Sequence, residues 1–244
     1  MLTDPGSIIT AVLLGGLGGA AAGSIIYSAT SRLPAELGPL GRPVCAACGG
    51  LLPGDHLIPA ARRACPACGA RPPLRKSAIE AAAVGIAVLA LLLRGLTYLG
   101  VTSALFSLVL LLILVVDWRH HLIYTATIVP GLALAIVGAA LHSTGALLSA
   151  LLAAAGAGLV FGLLFALALV IYRQEALGFG DILLAALIGA MTGIGRVVPA
   201  IFIGMVLAAA GGLLLIVLGR RGRRDYIPYG AYLCAGTILV LLLW

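Results

Sequence analysis

The chain has 244 residues, 62% hydrophobic and only 9% charged, with a mean hydropathy of +1.20. Too few polar groups remain to coat a soluble globule of that size, so composition excludes a soluble domain, a disordered chain and a disulfide-rich secreted domain. The 15 Lys and Arg against 8 Asp and Glu would suit a nucleic-acid partner, but the bases are nearly absent from the long apolar runs. They gather between them, which is the mark of membrane topology, and no nucleic-acid binding is expected.

Residues Met1 to Pro5 carry Asp4 and no base, so the first apolar run lacks the basic head of a cleavable signal peptide and is read as a retained span. A bilayer core about 30 Å thick needs roughly 20 apolar residues in a helix. Eight stretches qualify: Ser7 to Thr30, Ala78 to Leu93, Leu96 to Val116, Leu122 to Leu141, Ala146 to Ile171, Leu177 to Gly193, Val197 to Leu218 and Ile227 to Trp244. The second and sixth are short. The predicted fold is an all-α polytopic membrane protein of about eight helices with a small polar insert between the first two. Residues 1–30 are then the first membrane helix, 31–77 the insert and 78–244 the membrane core.

Orientation follows from the bases, because cytoplasmic connections hold the excess of Lys and Arg. The insert carries Arg32, Arg42, Arg62, Arg63, Arg71, Arg75 and Lys76, and the seventh connection carries Arg220, Arg221, Arg223 and Arg224. With Arg119 and Arg173 these make thirteen on one side, against Arg94 and Arg196 on the other. The insert is therefore expected in the cytoplasm, with both chain ends outside. Four arginines at the end of a span are topological anchors that can meet anionic lipid. Glycines at four-residue spacing, Gly15 with Gly19, Gly19 with Gly23, and Gly158 with Gly162, allow close helix packing within the chain or across a dimer.

Inside the insert, Cys45-Ala-Ala-Cys48 and Cys65-Pro-Ala-Cys68 form two CxxC pairs sixteen residues apart, the spacing of a four-thiolate zinc knuckle. Gly49 and Gly69, directly after the pairs, permit tight turns that aim backbone amides at the sulfurs. So short a segment builds little apolar core, and a structural Zn²⁺ would supply the missing stability. Two disulfides or free thiols are the competing reading, disfavoured in a reducing compartment. Cys234, in the last span, reads as a small buried apolar residue.

Ionisable residues at membrane depth are expensive and become functional candidates by default. Three stand out: Glu80 near the head of the second span, Asp117 at the end of the third, and Asp181 in Gly178-Phe179-Gly180-Asp181. The topology puts Asp117 and Asp181 on the same side. Two carboxylates brought together in low dielectric share a proton, so that one is base and the other acid. That arrangement activates water against a peptide carbonyl. Gly178 and Gly180 are expected to let the chain adopt positive φ or approach closely just before the aspartate. The competing reading makes Asp117 an interfacial residue beside Trp118, Arg119, His120 and His121.

The chain resembles the prepilin peptidases, integral-membrane aspartic leader peptidases of the GxGD type. The resemblance runs through Gly23-Ser24, Arg32-Leu33-Pro34, the paired CxxC insert, Asp55 to Pro59, Glu80, Asp117, Gly178 to Asp181 and Ile227-Pro228-Tyr229-Gly230. It implies a bacterial inner-membrane enzyme that cleaves the basic leader of type IV prepilins or pseudopilins after a glycine, at the cytoplasmic face, with Asp117 and Asp181 as the catalytic pair. Many members also methylate the new N-terminus with S-adenosylmethionine, and Glu80 is a candidate participant. Members commonly carry Pro-Asp where this chain has Tyr124-Thr125, and Lys where it has Leu183. Two readings of another class are an ion- or proton-coupled transporter, with the aspartates as cation or proton sites, and a noncatalytic membrane scaffold whose insert docks a partner.

Overall fold

The computed structural model describes residues 4–60, 63–172, 178–219 and 228–244. Arg62, Arg173, the Arg220 to Arg224 cluster and the expected starts of the sixth and eighth spans, at Leu177 and Ile227, lie outside the described residues. The described residues form eight α-helices: α1 Pro5–Arg32, α2 Leu74–Arg94, α3 Tyr98–His120, α4 Thr125–His142, α5 Thr144–Tyr172, α6 Phe179–Thr192, α7 Ile194–Val217 and α8 Tyr229–Leu243. Six of them are long and apolar enough to cross a membrane, whereas α6 and α8 have 14 and 15 residues. At a rise of 1.5 Å per residue those two extend only about 21 to 23 Å, less than a hydrocarbon core. This is a multi-pass, all-helical membrane protein with its cysteine-bearing insert between α1 and α2.

The chain folds as two compact units, Met1–Leu112 and Ile113–Trp244. In the first, α1 and α2 pack along the glycine stripe. A Cβ added at Gly15, Gly19 or Gly23 would fall 2.8, 2.7 and 2.7 Å from the Cα atoms of Val88, Val84 and Glu80, respectively. The register steps down one helix as it steps up the other, as antiparallel backbones in close contact require. The stripe is thus occupied within the chain. Gly19→Leu is expected to force α1 off α2 and lower the unfolding temperature in detergent. Gly16→Leu, whose Cβ would meet nothing within 4 Å, should leave it unchanged.

The same interface seats the insert. Helix α2 begins at Leu74 rather than Ala78, taking in Lys76, which is only 2% exposed. Its ammonium lies 3.6 Å from Glu80 Oε1 and donates to the carbonyls of His56 and Ile58 at 3.0 and 3.3 Å. Glu80 in turn accepts from Ser24 Oγ of α1 at 2.6 Å and from the Ala60 amide at 3.1 Å. A buried ion pair survives when hydrogen bonds occupy its remaining donors and acceptors. Here those partners are the insert backbone and α1, so charge satisfaction and positioning of the loop through His56 to Ala60 are one feature. Glu80 therefore acts as a positioning residue for both.

In the second unit, α7 and α8 approach at Gly204, whose added Cβ would lie 2.7 Å from Leu233 Cα. Gly211 leaves room for the Tyr232 ring. Helix α6 is tied by close approach of Gly189 to Ala153 of α5, and the turn after it by Ser149 Oγ accepting from the Ile194 amide at 3.0 Å. Prolines 130 and 199 sit inside α4 and α7, as membrane helices tolerate where neighbouring groups satisfy the backbone. Cys234 is fully buried, as expected of a small apolar core residue.

Candidate active site and metal centre

Asp117 stands in the last turn of α3, where a carboxylate faces the negative end of the helix dipole. A second helix offsets this. The Ala231 amide, in the first turn of α8, donates to Asp117 Oδ2 at 2.7 Å across 114 residues of sequence. Asp117 thus caps α8 in trans, and only 3% of it is exposed. Pro228 supplies the residue before α8 without bringing an amide of its own that would need a partner. Gly230 gives the carboxylate its seat, since a Cβ there would lie 3.1 Å from Asp117 Oδ2 and 3.0 Å from Ile123 Cδ1. The Trp118 and Tyr232 rings, meeting edge to face at 5.7 Å, hold the end of α3 against α8. Just beyond, His121 closes α3 in the left-handed region at φ 52°, its amide donating to the Asp117 carbonyl at 2.9 Å.

Asp181 is the third residue of α6, and its Oδ2 accepts from the Gly178 amide at 3.0 Å while its own amide donates to the Gly178 carbonyl at 3.0 Å. This is the acidic half of a capping box, placed where the helix dipole favours negative charge. Gly178 is extended, at φ −84° and ψ 152°, so the expected positive φ does not occur there. Residues of any type adopt that conformation. The requirement is steric and falls on Gly180, where an added Cβ would come within 2.9 Å of Ile123 Cβ.

Ile123 therefore sits at the middle of the site, approached by Gly180 from the Asp181 side and by Gly230 from the Asp117 side. Asp181 follows Gly180 directly, and Asp117 Oδ2 lies 3.1 Å from where a Gly230 Cβ would stand, so both carboxylates border the same isoleucine. Each uses Oδ2 to cap a helix, and neither Oδ1 makes a hydrogen bond to another described residue. Sequence reasoning did not single out Ile123 or Ala231, and it met Tyr229 only within the Ile227-Pro228-Tyr229-Gly230 segment of the resemblance. The available signal was Pro228-Tyr229-Gly230 at a helix head, which marks an N-terminus and hence a ready anion seat.

In the first unit, the two CxxC segments fold alike. The Gly49 and Gly69 amides donate to the carbonyls of Cys45 and Cys65 at 2.9 and 2.8 Å, with both glycines at positive φ, 71° and 70°. The Cys45 and Cys65 amides close the loops onto the carbonyls of Gly50 and Ala70, each at 2.8 Å. The four sulfurs lie within 4.8 Å of one another, with Cys45 to Cys68 at 3.7 Å and Cys48 to Cys65 at 3.8 Å. All are free thiols. Those separations far exceed a disulfide bond of about 2.05 Å. They match the roughly 3.8 Å edge of a tetrahedron whose metal–sulfur bonds are about 2.3 Å. The four cysteines can hold a metal ion.

Their electrostatics argue the same way. The Ala47 amide, followed by that of Cys48, lowers the Cys45 thiol to about 6. At Cys68 the Ala70 amide also pulls downward, but desolvation and the sulfurs of Cys48, Cys65 and Cys45 outweigh it and push the value to about 12. One sulfur ionises readily and another resists, so four thiolates can coexist only around a cation. Beneath them, Leu52 and the two buried cysteines, with Ala70 against them, form the insert's small apolar core.

Comparison with known proteins agrees with this architecture. Residues 104–213 match the type IV leader peptidase family. A prepilin leader peptidase/N-methyltransferase of Bacillus subtilis (strain 168) is 28% identical over 229 residues, covering 90% of this chain and 89% of that protein. Both matches make this chain similar to the type IV leader peptidases. No solved structure matches it significantly. The matched family segment contains both Asp117 and Asp181, and the alignment with the relative is long enough to reach well beyond it.

Proposed function

We propose that the protein is a membrane aspartic endopeptidase that removes the leader of type IV prepilin-like proteins, with Asp117 and Asp181 as its catalytic pair. The observation that carries this reading is that α3 and α6 bring two carboxylates to either side of Ile123, each fixed through one oxygen and uncommitted at the other. Two such groups in low dielectric hold one proton between them. The ionised partner takes a proton from water as the water oxygen attacks the scissile carbonyl, and the protonated partner donates to the carbonyl oxygen. As the tetrahedral intermediate collapses, the proton gained from water passes to the leaving amine, the intermediate's hydroxyl returns its proton to the carboxylate that gave it, and the pair is singly protonated again. Capping hydrogen bonds to Oδ2 fix both carboxylates without occupying the oxygens that exchange protons.

In this reading residues 1–30 form the first membrane helix, 31–77 the metal insert and 78–244 the peptidase core. The metal is Zn²⁺, which suits four thiolates, and its role is structural because no ligand position is left for water or substrate. The excess of arginine supports a cytoplasmic face of a bacterial inner membrane for the insert and the aspartates, where a substrate's basic leader would leave its apolar helix. The Bacillus relative's printed name includes N-methyltransferase, and the corresponding second activity here would consume S-adenosylmethionine. The test is incubation of a prepilin with membranes containing this protein, with and without S-adenosylmethionine, followed by mass spectrometry. Loss of the leader after the glycine is the expected result, and a further gain of one methyl group only with the cofactor would report the second activity. An uncut substrate would overturn the peptidase reading.

A further inference from the structure

The structure assigns a binding site for the phosphate of an anionic phospholipid headgroup to the cavity between the metal insert and the head of α2. The cavity has a volume of about 190 Å³, and its lining includes Arg63, Arg71, Arg75, His56, Tyr27 and Pro73. Cys45 and Cys65 also line it, and no Asp or Glu is among its described lining residues. Arg63 is paired with Asp55 outside the lining, and the thiolate wall draws on the arginines too, so Arg71 and Arg75 are the cations left to meet an anion.

Three further features point to an anion. Helix α2 starts at the cavity wall, with no side chain capping its N-terminus and no acid in its first turn. The Lys76 amide turns back to the Pro73 carbonyl at 3.0 Å, so the Leu74 and Arg75 amides and the helix dipole are what this end offers outward. His56 is 5% exposed and lines the same space, adding a ring N–H donor at depth. Guanidinium forks match phosphate oxygens in pairs, so two or more arginines around a small cavity recognise phosphate better than a single carboxylate.

The apolar surface around it identifies the source. Although the insert lies outside the spans, Leu40, Leu51, Ile58 and Leu74 are 75%, 62%, 51% and 77% exposed. Apolar side chains of that size left open on the insert and at the head of α2, with Leu51 and Leu74 next in the chain to the lining residues Leu52 and Pro73, suit the boundary between acyl chains and headgroups. A headgroup seated there would hold the insert against the membrane through α2, while α1 contributes Tyr27 from the other side. The same positive cavity repels a basic leader peptide, so it is a lipid anchor and not a substrate groove.

The experiment titrates the full-length, metal-loaded protein in neutral detergent with short-chain phosphatidylglycerol, phosphatidylcholine or inorganic phosphate, reading bound ligand by native mass spectrometry. Phosphatidylglycerol should bind at least tenfold more tightly than phosphatidylcholine or free phosphate. In the double variant Arg71→Gln, Arg75→Gln that preference should disappear, with metal content unchanged. Arg42→Gln, which removes one insert charge outside the cavity lining, should keep it. Should the double variant lose its metal, wild type alone decides, because a phosphate site must release phosphatidylglycerol as salt rises. Equal binding in the double variant, a salt-independent preference, or equal affinity for free phosphate or S-adenosylmethionine would overturn the assignment.

Discussion

Asp181→Asn should lower prepilin cleavage at least 10³-fold while leaving the protein folded. The asparagine side-chain oxygen can still accept the Gly178 amide that Asp181 holds at 3.0 Å, so the start of α6 keeps its cap, but an amide cannot take a proton from water. Asp117→Asn should behave alike, its oxygen still meeting the Ala231 amide held at 2.7 Å by the carboxylate. General acid–base groups contribute about 10² to 10⁴ in rate. Groups that work as one unit lose nearly everything on the first deletion, so the double variant should be barely slower than either single one. Single-turnover cleavage of a prepilin peptide in detergent micelles, alongside metal content and melting temperature, measures this. A single variant retaining a tenth of wild-type turnover would remove the carboxylate pair from the mechanism. A scaffold would keep its function in both variants, and a transporter would never cut the peptide at all.

Removing the metal should unfold the insert. Metal binding supplies folding free energy to small cysteine domains, on the order of 10 kcal/mol at neutral pH. This insert has little else, its buried apolar cluster being Cys45, Leu52 and Cys65 with Ala70 against them. A strong chelator, or the pair Cys48→Ser and Cys68→Ser, should expose the segment from Val44 to Pro72 to protease. Cys234→Ala should change neither metal stoichiometry, expected at one ion per chain, nor protection. Acid should act in the same direction. The Cys68 thiol near 12 is protonated in the metal-free protein at neutral pH, so binding must displace that proton, and as pH falls through about 6 Cys45 takes one up as well. Metal affinity should therefore fall with decreasing pH and fall more steeply below about pH 6, as a competition titration with a colorimetric chelator would show. A pH-independent affinity would mean that the thiols are not the ligands.

Some of this was legible because the information is local. A CxxCG turn needs only its own residues: two sulfurs brought together by the turn, and a glycine to take the left-handed position, seen at Gly49 and Gly69. Length and apolarity of a span are properties of one stretch, and six helices meet the membrane requirement as read. The glycine stripe of α1 was legible as a packing face, although its partner was not. The spacing of Gly15, Gly19 and Gly23 fits a second copy as well as α2, and the fold chose α2.

By itself, then, the sequence determined the membrane class, the metal knuckle and the two aspartates worth suspecting, because apolar length, sulfur spacing and the cost of charge in lipid act over a few residues. Tertiary structure alone decided that Asp117 caps α8 through Ala231. It alone decided that Gly180 yields room to Ile123 instead of bending the chain, and that Lys76 and Glu80 fasten the insert to α1 and α2. Each of these depends on which backbone amide or side chain arrives from a distant part of the chain. That arrival is set by how helices pack, and no periodicity within a single helix specifies it.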